Sequence, residues 1–174
     1  IGFETTAIAK SILLHGTFAD PFRAPTGPTA VVPPVYPAFI AVVMKCFGPG
    51  PGGLFALRFL VTLFIAAQLA VWPWISERMT LGYASGFLAS IFWIASDIPR
   101  DEVWETQLIG LLTVVLALAM LNAAEHPRSR GALIACGLLW GATLLGSPVT
   151  LPVLIAWIAW LLFSRRMAIR SVAL

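Results

Sequence analysis

Residues 54–75 read LFALRFLVTLFIAAQLAVWPWI, an apolar run of 22 positions with one charge, Arg58, near its start. At 1.5 Å per residue such a helix reaches about 33 Å, enough to cross a hydrocarbon core of roughly 30 Å. The run therefore points to an all-α integral membrane protein, a polytopic helical bundle. Composition agrees, with 59% hydrophobic and 11% charged residues and a mean hydropathy of +0.91. A soluble domain is nearer half apolar and a quarter charged.

Downstream, four more spans are expected at 81–96, 103–123, 131–146 and 151–166, the first and third near the lower length limit. Ser147-Pro148 ends one helix, and Pro152 suits the first turn of the next. Upstream, residues 36–47 are apolar but reach only about 18 Å, too short to span. Pro37 and the run Gly48-Pro49-Gly50-Pro51-Gly52-Gly53 bound them, so a re-entrant or interfacial helix is expected. Residues 4–15 form a second short helix, with Ile8, Ala9, Ile12 and Leu13 on one side and Gly16 as its stop. Lys10 and Thr6 lie toward the other face, as in a helix resting on a membrane surface. Residues 1–53 are thus read as a loop with two surface helices, and 54–174 as a bundle of about five spans.

Basic residues orient the bundle. Counting only the loops of the five spans from residue 54 on, Arg78, Arg128, Arg130, Arg165, Arg166 and Arg170 fall on one side and Arg100 on the other, so the first side is expected to be cytoplasmic. Residues 1–53, with Glu4 and Asp20, then share the non-cytoplasmic face with Asp97, Arg100, Asp101, Glu102 and Glu105. The loop 16–37 carries Pro21, Pro25, Pro28, Pro33 and Pro34, followed by Tyr36 and Pro37. Proline fixes φ and removes a backbone donor, so this loop is stiff and non-helical. Lipid cannot solvate such a backbone, which must lie outside the hydrocarbon or be buried by protein.

The net charge of +3 is modest and its basic residues are scattered, which argues against nucleic acid. Cys46 and Cys136 are read as packing residues, and His15 and His126 have no partners at metal-ligand spacing. Neither a Gly-rich phosphate loop nor a nucleophile elbow occurs. The chain opens at Ile1 with no basic, signal-like segment, and a fragment of a longer polytopic protein is expected.

Glu105 shares a helix face with Asp101 and Glu102. First-turn acids favour the positive end of a helix dipole, which accounts for Asp101 and Glu102. Glu105 lies deeper, between Trp104 and Leu108, where an unpaired charge is costly. Glu4 opens the surface helix, and about 16 Å of helix separates it from His15, too far for an acid–base pair. Arg100, Arg23 and Lys45 are candidates to hold a phosphate, with interfacial anchoring as the competing role. Gly82-x-x-x-Gly86-x-x-x-Ser90 and Gly137-x-x-x-Gly141 are expected to be helix-packing seams. Trp72, Trp74, Trp93 and Trp104 fall near span ends, as interfacial belts do.

Three runs together resemble one family. They are Gly2-Phe3-Glu4 through Ala7-Ile8-Ala9, then Gly27-Pro28-Thr29-Ala30 with Pro33-Pro34-Val35-Tyr36-Pro37, then Val103-Trp104-Glu105-Thr106. Their order resembles the N-terminal third of GT-C superfamily glycosyltransferases. The nearest branch is the bacterial proteins related to protein O-mannosyltransferases and the lipid A aminoarabinose transferase, here without the first transmembrane helix. The resemblance implies sugar transfer from a polyprenyl-phosphate sugar to an acceptor hydroxyl at the non-cytoplasmic face of a bacterial inner membrane. It implies that Glu4 and Glu105 are the catalytic carboxylates, either as base or as holders of a divalent metal. Arg100, Pro33, Pro34 and Tyr36 are then substrate-binding residues. Many relatives carry two adjacent acids where this chain has only Glu4, and some carry Lys where Val32 stands.

Glycosyl transfer needs a base for the acceptor hydroxyl and positive groups to steady the leaving phosphate. The rival reading is a transporter or flippase subunit, which places ionisable residues near the midplane of its spans.

Overall fold

The computed structural model describes residues 3–22, 25–96, 105–126 and 129–159. Among these residues it is all-helical, with one isolated antiparallel bridge between Ala19 and Pro28. The helices are α1 (Phe3–His15), α2 (Val35–Phe47), α3 (Pro51–Arg78), α4 (Tyr83–Ala95), α5 (Glu105–Glu125) and α6 (Arg130–Gly146). A last helix, α7 (Pro148–Ala159), opens on the 3-10 turn Pro148–Thr150. Expected boundaries hold within two or three residues, except that the α7 region beyond 159 lies outside the described residues.

Two of these helices, α3 and α5, are long and apolar enough to cross a membrane. With 13 residues α4 reaches about 20 Å, and with 17 residues α6 reaches about 26 Å. The α4 helix is shorter than its expected segment and than a crossing requires, whereas α6 stands at the lower length limit expected of it.

The first core cluster joins α1, α2 and α3. Ala9, Tyr36, Ile40, Met44, Leu57 and Val61 are buried there, with Ile12 and Leu13 packed against them. The apolar side expected of α1 is thus the side it buries. Against α3, α2 runs antiparallel: Met44 comes close to Gly53, and the Phe39 ring meets Phe64 at 5.6 Å. Tyr36, near the start of α2, therefore stands beside the middle of α3.

The second half of α3 packs on α4, where a proline decides the geometry. Pro73 lies inside α3 and lacks the N–H that would bond the Leu69 carbonyl. The buried Ser90 hydroxyl of α4 donates to that carbonyl at 3.0 Å. Gly86 makes the approach possible, since a Cβ there would lie 2.6 Å from Pro73 Cα. Of the expected seam, Gly86 and Ser90 pack against α3, whereas Gly82 is the residue before α4, with a positive φ and no neighbouring atom in reach among the described residues. The seam at Gly137 and Gly141 does not pack among the described residues, where both face outward with no neighbouring atom in reach.

A second cluster, Leu116, Ala123, Cys136 and Trp140, joins α5 to α6, and Trp140 meets Trp157 of α7 at 6.1 Å. Cys136 fills a packing position there, whereas Cys46 is exposed. At the far end Arg78 lies 4.2 Å over the Trp74 ring and 3.8 Å from the Glu125 carboxylate, tying the ends of α3 and α5 together. Large apolar side chains face outward on α3 (Phe55, Phe59, Leu63), α4 (Leu88, Phe92) and α6 (Ile134, Leu138).

Candidate site at the α2, α3 and α5 junction

The proline-rich loop is closed on itself before it reaches the bundle. Asp20 adopts a positive φ of 57°, and its Oδ1 accepts the N–H groups of Thr26 and Gly27, each at 2.8 Å. Its own N–H reaches the Gly27 carbonyl at 3.0 Å, and Thr29 N–H reaches Phe18 O at 3.2 Å. Pro21 is fully buried inside the closure. Asp20 therefore works as a loop staple rather than as one of the carboxylates gathered at a site. Asp-Pro followed by Thr-Gly-Pro is turn chemistry, and that was the available signal.

So held, the loop presents a groove of about 440 Å³ lined by Phe18, Val31, Val32, Pro33, Pro34 and Pro148. The chain enters α2 directly after Pro34, and two residues past that proline Tyr36 is 2% exposed. Burial first, and the negative charge of Glu105 second, push the Tyr36 phenol far above its ordinary range.

Half-buried at the start of α5, Glu105 lines a cleft of about 520 Å³. The polar groups around it come from Gln68, Trp72, Thr106, Thr113 and Ser147. Gln68, in the middle of α3, donates from Nε2 to the Gln107 carbonyl of α5 at 3.0 Å. Gly110 gives its amide room, since a Cβ there would lie 2.6 Å from Gln68 Oε1. The turn after α6 divides the two concavities: Ser147 lines the cleft and Pro148 lines the groove. Gly146 packs against Ile109 of α5 and near Val35 of α2, which anchors that turn.

Pro33 and Pro34 on the groove side and Glu105 on the cleft side are therefore gathered on the two sides of one turn, whereas Tyr36, expected to bind substrate, lines neither concavity and is buried in the α1–α3 core. Glu4 is exposed at the start of α1 and lines neither concavity. Arg100, Arg23, Asp97, Asp101, Glu102 and Trp104 lie outside the described residues. Among the described residues no three His, Cys, Asp or Glu side chains are placed to share a metal ion. Among the described residues the donors beside Glu105 are an amide and hydroxyls, a poor set for a hard divalent cation that prefers several carboxylates, and no step is routed through a metal.

Of the residues lining the cleft, Gln68 and Thr113 were not singled out in the sequence, and Trp72 and Ser147 were read only as an interfacial tryptophan and a helix end. Gln68 carried a usable signal, a polar side chain inside an apolar run and one turn before a tryptophan. No protein-family model, curated protein or solved structure matches this chain.

Proposed function

We propose that this chain is part of a multi-pass membrane glycosyltransferase of the GT-C type. It would move a sugar from a polyprenyl-phosphate donor to an acceptor hydroxyl at the non-cytoplasmic face of a bacterial inner membrane. The observation that carries the reading is a carboxylate, Glu105, in a polar cleft directly beside an apolar groove shaped by Pro33 and Pro34. An amphiphilic donor and a hydroxyl acceptor need those two surfaces side by side. Membrane placement is supported by α3 and α5, of whose most apolar stretches only 17% and 11% of residues are buried. A soluble protein hides its most apolar helices.

In this reading a cleft carboxylate takes the proton of the acceptor hydroxyl. The acceptor oxygen forms its bond to the anomeric carbon as the carbon–oxygen bond to phosphate breaks. The electron pair leaves with the polyprenyl phosphate. Of the two expected carboxylates Glu105 fits the task, because it lines the cleft while Glu4 does not. In the protein expressed from its full reading frame, Glu105→Gln is expected to lower transfer by roughly 10²-fold or more, the scale of a positioned base. Glu4→Gln tests the other carboxylate, and here a smaller loss is expected. The assay is sugar release from a polyprenyl-phosphate donor in reconstituted membranes, and near-normal turnover in Glu105→Gln would sink the mechanism.

One observation favours a second reading, a transporter or flippase subunit. The cleft opens beside Gln68, about 20 Å along α3 from Leu54, where a transporter keeps its substrate. Movement of a labelled lipid across the bilayer without cleavage of the sugar–phosphate bond would select that reading.

A further inference from the structure

We infer that Gln68 is a specificity residue that reads hydroxyl groups of a neutral sugar ring bound in the Glu105 cleft, with Trp72 as the platform for the ring. The inference rests on the glycosyltransferase reading only for the identity of the ligand. The geometry carries the rest.

An amide in the middle of an apolar helix is costly unless its donors and acceptor are used. One Nε2 hydrogen goes to the Gln107 carbonyl, and this bond fixes the orientation of the amide. Among the described residues Oε1 accepts no hydrogen bond, and Gln68 lines the cleft with Glu105. An amide clamped at one end leaves an acceptor and a second donor hydrogen in a fixed place, as a vicinal pair of hydroxyls requires. Thr106 and Thr113 add hydroxyls to the same lining.

Trp72 follows Gln68 by one helical turn, so both project from the same side of α3 into the cleft. An indole beside amide and hydroxyl groups matches a sugar, which has an apolar face and a polar edge. Gly110 belongs to the device, because any side chain there would displace the Gln68 amide. Among the described residues, no Lys or Arg lines the cleft. Its chemistry suits the neutral ring rather than the phosphate.

The test uses the full-length protein in lipid nanodiscs and two ligand pairs. The first pair is a polyprenyl-phosphate hexose and the same polyprenyl phosphate without sugar. Gln68→Ala is expected to weaken binding of the hexose-bearing lipid about tenfold, the scale of one lost hydrogen bond, and to leave the sugarless lipid unchanged. Gly110→Ala should act in the same direction. Equal weakening of both lipids, or of neither, would overturn the inference, since a merely structural Gln68 cannot tell them apart.

The second pair is a soluble alkyl hexoside and an alkyl chain ending in a single hydroxyl, followed by tryptophan fluorescence with Trp72→Phe as control. A hexoside-specific change lost in both Trp72→Phe and Gln68→Ala supports the inference even if no sugar transfer is ever seen. Loss of transfer with hexoside discrimination intact would retire the proposed enzyme and keep the site. No discrimination between hexoside and simple alcohol would retire the site itself.

Discussion

Tyr36 is buried in the core that α1, α2 and α3 share, its ring 6.3 Å from Phe39 in a stacked pair and its hydroxyl within the field of Glu105. Burial and that charge both favour the neutral phenol, so the folded-state pKa is raised above the unfolded value. The resulting stability is fully present below the ordinary tyrosine pKa of about 10 and is lost as pH rises beyond it. Tyr36→Phe cannot ionise. Between pH 8 and 11 the melting temperature of the native protein should therefore fall relative to that of Tyr36→Phe, with the gap opening above about pH 10. Parallel curves for the two proteins would show that the phenol is not held neutral by its surroundings. Asp20 is a residue-scale lesson of another kind, since its carboxylate is taken up by two backbone N–H groups of its own loop.

At the scale of elements, the pairing of α3 with α4 is a repaired defect. Pro73 strips a donor from α3, Ser90 supplies one from α4, and Gly86 lets the backbones close. Ser90→Ala should cost about 1 kcal/mol by leaving the Leu69 carbonyl without a donor. Gly86→Leu should cost more, because the new side chain meets backbone that cannot move aside. Thermal unfolding in detergent checks both, and an unaltered Gly86→Leu protein would mean that the two helices do not pack here. The proline groove is tested in the same spirit by Pro33→Ala with Pro34→Ala. If the pair shapes a substrate surface, KM should rise or kcat fall at unchanged expression, whereas unchanged kinetics would make the segment a connector.

For the whole molecule, the placement of α1 and α2 relative to the bilayer governs every functional statement. On the proposed topology residues 1–53 lie on the non-cytoplasmic side, and Cys46 is exposed at the end of α2. A membrane-impermeant thiol reagent should label Cys46 from outside intact cells, whereas Cys136, buried between α5 and α6, should resist it. Labelling of Cys46 from the cytoplasmic side alone would place α1, α2 and the proline groove on the wrong face for transfer.

Sequence alone determined the apolar helices, their approximate ends and the stiffness of the loop at 16–37. Those properties follow from hydropathy, proline and glycine, which act within a few residues of where they stand. The buried side of α1 was legible for the same reason, as was the seam at Gly86. The second seam, Gly137 and Gly141, looks similar in sequence and packs against nothing among the described residues, because a small-residue stripe states that a helix can approach but not that one does. Depth was equally hidden. Only the antiparallel run of α2 along α3 brings Tyr36 beside the middle of that helix, and only the Gln68 bond to Gln107 sets Glu105 at the same level. Contacts between residues so far apart in the chain are decided by which helix faces fit together, and no local pattern records that fit.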